Sequence, residues 1–108
     1  MKLAIISLGG SIINPDDVDY EFLKQFKESL LKLKKWKFII VTGGGATARR
    51  YIKALKKDGV DQKTQCLAGV AVTRLHARFL MWMFRKYANN KLPKTIKSNI
   101  LQTLRCHQ

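Results

Sequence analysis

"VTGGGATARRY", residues 41–51, decides how this chain folds. Val41 and Thr42 end the apolar run "KFIIVT" (37–42), and three glycines stop it. Beyond them Ala48, Ile52 and Leu55 recur at helical spacing. The stretch is thus a strand end, a tight turn and a helix start. Asp58-Gly59 closes the helix, since glycine suits the position just past a helix end. Such a turn can do either of two things. It can simply redirect the chain, or it can hold a phosphate. Glycine lets backbone approach an anion closely, and a helix N-terminus offers unpaired N–H groups and the positive end of its dipole. Arg49 stands one turn into the helix, within reach of an anion at its mouth. Arg50 and Lys53 read as surface charges.

The N-terminus repeats the pattern. "KLAIISL" (2–8) is apolar, ends at Gly9-Gly10 and reads as a buried strand. "SIINPDDVD" (11–19) reads as a loop that ends on Asp19, an N-cap, with Glu21 in the first turn beyond it. Leu23, Phe26, Leu30 and Leu33 then recur among lysines, which makes an amphipathic helix. Residues 64–88 are mostly apolar, punctuated by Arg74, Arg78 and Arg85, and read as a long, largely buried helix with Gly69 as the place for a bend. Residues 89–108 form a basic tail with a break at Pro93. The order is β-α-β-α-α. A helix between two strands implies a parallel pair with a right-handed crossover. Parallel sheets are covered on both faces and usually have more strands, so these elements are expected to be part of a larger α/β domain.

In open parallel sheets ligands bind outside the carboxyl ends of the strands. Here both strands end in glycines, Gly9-Gly10-Ser11 and Gly43-Gly44-Gly45. Two such loops at one sheet edge could hold two phosphate groups side by side, the arrangement phosphoryl transfer needs. The P-loop pattern GxxxxGK[ST] is absent. Gly43, Gly45 and Ala48 do fit the dinucleotide fingerprint GxGxxG/A, which also needs a next strand ending in an acid about 20 residues on. "VDQKTQCLAGVAV" contains Asp61 but no such strand.

The 108 residues carry a net charge of +14. Residues 1–61 hold 12 Lys/Arg and all 7 acids, whereas residues 62–108 hold 9 Lys/Arg and no acid. That surplus suits an anionic partner without choosing one. Cys66 and Cys106 stand far apart with no metal-ligand spacing, as in a reduced, cytoplasmic protein. The N-terminal apolar run is too short for a signal sequence, and "FLMWMF" (79–84) is too short to span a bilayer, so no membrane role is expected.

"SLGGSI", "VTGGGATARRYI" and "AGVAVTRLHARFL" together resemble the amino-acid kinase superfamily, and more closely its archaeal-type uridylate (UMP) kinases, over roughly residues 1–88. The resemblance implies a partial three-layer sandwich with a parallel sheet. It also implies transfer of a phosphoryl group from Mg-ATP to UMP in pyrimidine nucleotide synthesis, by homo-oligomers from dimer to hexamer. It places Gly9, Gly10, Gly45 and Arg49 against ATP phosphates and Gly44 against UMP. Ser7 stands where other branches of the superfamily carry a catalytic lysine, which the archaeal UMP kinases also lack. Thr73 and Arg74 match a pair beside the UMP pocket, where helix capping or a dimer contact is the alternative role; Ser11 and Gly43 are further pocket or interface candidates. Cys66 departs from the family's acidic residue, and a thiol is a poor acceptor for ribose hydroxyls. His76 replaces the usual Asn and reads as a helix or interface residue rather than a base. Family members continue well beyond this length, with the rest of the UMP loop, the catalytic aspartate and the adenine site. The chain is accordingly expected to be an incomplete or inactive form with no catalytic residue of its own. The tail does not resemble the continuation; its composition suits either a shifted reading frame or a divergent helix. The alternative function is a non-catalytic basic module that binds nucleic acid or a full-length kinase, although no RNP, zinc-finger or helix-turn-helix pattern is present.

Overall fold

The structure is a computed structural model that describes residues 2–88. The tail set apart by its composition lies outside these residues. The chain runs β1 (Lys2–Leu8), α1 (Gly10–Ile13), α2 (Tyr20–Lys32), β2 (Trp36–Thr42), α3 (Gly45–Lys57) and α4 (Gln62–Phe84), with a final 3-10 turn at Arg85–Tyr87. β1 and β2 pair in parallel, from Lys2 beside Trp36 to Leu8 beside Thr42. The expected parallel pair is therefore present, and its two glycine-bearing ends lie at the same edge.

Alternate residues of a strand face opposite sides of the sheet. Leu8 belongs to the core with Ile13, Leu23 of α2 and Leu80 of α4, and Ile40, Phe26, Phe79 and Met83 pack around it. Ala4, Ile6 and Leu8 therefore share the inner face with Phe38, Ile40 and Thr42. The opposite face is open. Leu3 is 59% and Ile5 70% exposed, while Ile39 and Val41 are half-buried. This corrects the expectation of buried strands: both have the apolar composition of two-sided burial, but the described residues cover only one face.

Three further differences have local causes. Residues 10–13 form one turn of helix instead of loop, because Gly9 accepts the N–H groups of Ile12 and Ile13 and Gly10 that of Asn14. α2 starts as expected, with the Asp19 carboxylate accepting the Phe22 N–H at 3.2 Å. It ends at Lys32, which leaves Leu33 outside the helix and 48% exposed. α4 is one unbroken helix through Gly69, buried on one side only. Gly69, Val72, Thr73, His76, Leu80 and Phe84 face inward, whereas Leu67, Leu75 and Trp82 are exposed.

Candidate functional site

The site begins with two strand ends brought side by side. Gly10 opens α1 and Gly45 opens α3. A Cβ on Gly10 would run into the backbone of Gly44 and Gly45, and a Cβ on Gly45 would run into Ser11 and Gly10. Only backbone fits between them. Gly45 also has φ +59°, the left-handed region that side chains disfavour. The two loops thus form one corner, with two requirements for glycine that are steric as well as conformational.

Ser11 bridges the corner. Its Oγ accepts the Ala46 N–H at 3.1 Å and a guanidinium N–H of Arg49 at 3.3 Å. The Ala46 N–H is one of the unpaired donors at the start of α3. No acid occupies the first turn of α3, so its dipole and Arg49 present the same sign at the same place. The hydroxyl oxygen of Ser11 thus lies between a helix-start N–H and a guanidinium N–H, donors of the kind from which an anionic oxygen accepts. Arg49 itself is exposed, which leaves its remaining N–H groups free to turn toward an anion. Arg50 instead reaches the Pro15 carbonyl and the Asp16 carboxylate, each at 3.3 Å, in an exposed ion pair.

α4 supports the corner from behind. The Thr42 hydroxyl donates to the Thr73 carbonyl at 3.1 Å, and the Thr73 hydroxyl donates to Gly69 O at 2.9 Å. Gly44 is buried against Ala48, Thr73 and Gly69, with room for no side chain. His76, 5% exposed, places Nδ1 2.8 Å from the Gly43 carbonyl. Three consecutive residues of the turn, Thr42, Gly43 and Gly44, therefore rest on Gly69, Thr73 and His76. Those three recur at i, i+4 and i+7, the spacing of one helix face.

These elements bring together the features a phosphate cradle needs: backbone approach at two glycine loops, a helix N-terminus and an exposed guanidinium. The model of the amino acid kinase family matches residues 2–105. The chain belongs to the amino acid kinase family. The matched range runs past residue 88 into the basic tail. Among its relatives, the uridylate kinase of Thermoplasma volcanium is 38% identical over 96 residues, which is 89% of this chain and 42% of that protein. The uridylate kinase of Thermoplasma acidophilum is 36% identical over 103 residues, 94% of this chain and 44% of that protein. The crystal structure of uridylate kinase from Archaeoglobus fulgidus superimposes with a TM-score of 0.74 at 29% identity, over 97% of this chain and 47% of that one. The chain thus spans less than half the length of these relatives, and it resembles their N-terminal region.

Within this amino acid kinase fold, the candidates picked from sequence fall into two groups. Gly10, Ser11, Gly43, Gly44, Gly45 and Arg49 converge on the corner, and Thr73 lies beneath Gly44. Gly9 caps α1, and a Cβ there would meet only the Ile12 side chain, at 4.0 Å, among the described residues. Ser7 is exposed on the open sheet face, Arg74 is half-buried on α4, and Cys66 is half-buried one turn before Gly69. Thr73 is fully buried in mid-helix, so neither helix capping nor a surface contact describes it. His76 is likewise not at a surface: it holds the turn. Thr42 was not singled out by sequence reasoning. The signal for both lay in α4, where Gly69, Thr73 and His76 interrupt an apolar face at helical spacing.

Proposed function

We propose that the chain forms the phosphate-binding corner of a uridylate kinase, which transfers the γ-phosphoryl group of ATP to UMP and yields UDP and ADP in cytoplasmic pyrimidine nucleotide synthesis. The observation that carries this reading is the backbone contact between Gly10 and the Gly44–Gly45 turn, with Arg49 at the mouth. Two phosphate-bearing substrates need two donor sets side by side, and adjoining glycine loops supply them. The uridylate kinase relatives support the assignment of those phosphates to UMP and ATP. In this reading Gly9, Gly10, Gly45 and Arg49 serve the ATP side. Gly44 serves UMP, with Ser11, Gly43, Thr73 and Arg74 at the rim and Cys66 in place of a carboxylate.

The chemistry of this corner is positioning and charge stabilisation. Backbone N–H groups orient phosphate oxygens, and Arg49 balances charge that develops between the two phosphoryl groups. Mg2+ enters with ATP as part of that substrate. The corner's donors suit phosphate oxygens, so the phosphates themselves would hold the ion. The exposed Leu67, Leu75 and Trp82 along α4 support a second copy of the chain as partner.

With less than half of the relatives' length, the 108 residues alone are expected to bind nucleotide phosphates and to turn over slowly or not at all. Formation of UDP in a coupled assay, with UMP binding followed in parallel, tests both parts. Binding of UMP without turnover is the expected result. Rapid turnover overturns the inactivity, and no affinity for UMP, ATP or phosphate overturns the assignment.

A further inference from the structure

The contact between His76 and the glycine turn has a chemical direction. A carbonyl oxygen can only accept, so the Nδ1 that lies 2.8 Å from Gly43 O must carry the proton. The ring is thereby fixed in the Nδ1–H form, and at 5% exposure it has little room to turn. The bond also fixes the peptide plane that joins Gly43 to Gly44. In a trans peptide the C=O and the following N–H point in opposite directions, and there is no cis peptide among the described residues. With the Gly43 carbonyl drawn onto α4, the Gly44 N–H is directed away from it. A turn of three glycines has no side chains of its own to fix that plane. Thr42 and Thr73 fix the residue before the plane, and Ala48 N–H holds the Gly44 carbonyl after it at 3.2 Å. Among the described residues, His76 is the side chain that holds the plane itself.

We propose that His76 is a positioning residue of the phosphate cradle: by holding the Gly43 carbonyl it sets the direction of the Gly44 N–H, a backbone donor to the bound phosphoryl group. The ligand part of this proposal rests on the uridylate kinase reading. The loop-geometry part does not. The requirement is for one N–H donor at one place, not for imidazole chemistry. Asn can meet it, because its Nδ2 and the Nδ1 of His are both bonded to Cγ. Leu matches that shape without a donor.

The test uses the full chain and two-dimensional NMR of its amides. In the wild type, the imidazole 15N resonances should report the Nδ1–H tautomer; the Nε2–H tautomer would overturn the proposal with no mutation involved. In ligand-free His76→Leu, the Gly44 amide should move while amides of α2 stay in place, and His76→Asn should return it toward the wild-type position. Titration with UMP, and separately with inorganic phosphate, should show affinity about 10-fold weaker in His76→Leu and largely restored in His76→Asn, the scale of one hydrogen bond to a charged group. A folded His76→Leu with wild-type Gly44 resonance and wild-type affinity overturns the proposal. A wild type that binds neither ligand overturns the uridylate kinase reading, while the shift of the Gly44 amide still decides the loop geometry.

Discussion

The two strands end very differently. At their carboxyl ends Leu8 and Thr42 are 4% and 3% exposed, and the Thr42 hydroxyl and the Gly43 carbonyl are both held by α4. Toward their amino ends and on the outer face, Leu3, Ile5 and Trp36 are exposed. The same apolar composition therefore supports a closed corner at one end and an open surface at the other. The difference shows where this part of the fold spends its packing. The elements α1, α3 and α4 pack against one another at the edge that bears the glycines, so that corner is held from several sides.

Substitutions can break that contrast. Leu23→Ala should cost most, about 2–5 kcal/mol, because Leu23 is 1% exposed and its loss opens a cavity beneath β1. Urea denaturation measures it, and the same substitution at Leu3 should change stability by less than about 0.5 kcal/mol. Gly10→Ala comes next, at roughly 1–3 kcal/mol, since the added methyl meets unyielding backbone rather than a flexible side chain. Gly59→Ala is its control: φ is +80° but nothing lies within 4 Å, so only the backbone term of about 1 kcal/mol remains. Thr42→Val should cost about 1 kcal/mol through the lost bond to the Thr73 carbonyl. Arg49→Ala should leave the urea midpoint nearly unchanged and weaken phosphate or ATP binding about 10-fold; equal affinity in the two proteins would remove Arg49 from the cradle. The smallest effect is expected for Asp16→Asn, whose exposed pair with Arg50 should leave thermal unfolding where it was.

Much of this architecture was readable because its signals are local. Val41 to Arg49 spell strand, turn and helix in order, and Asp19 caps α2 as its side chain predicts. The convergence of Gly10 and Gly45 could be anticipated from topology alone, since parallel strands with equal ends place their loops together. What escaped sequence reasoning depends on distant partners. Hydropathy cannot tell which face of β1 lacks a cover, because Ile5 and Ile6 look alike until something packs on one of them. His76 interrupts the apolar face of α4, but that break does not identify the carbonyl 33 positions earlier that meets it. Ser11 looked like a loop residue because the single turn of α1 is too short to show periodicity.

The parallel register has a consequence in time. Lys2 finds its partner only when Trp36 arrives, and Ser11 only when Ala46 does. A chain emerging from the ribosome carries β1 unpaired through all of α2, and no local hairpin can shelter it meanwhile. Contacts between such distant residues form late, after a long loop has been closed. Capture of phosphate by the corner would therefore report the moment at which the two strands meet, and could serve as a clock for the folding of this half of the sheet.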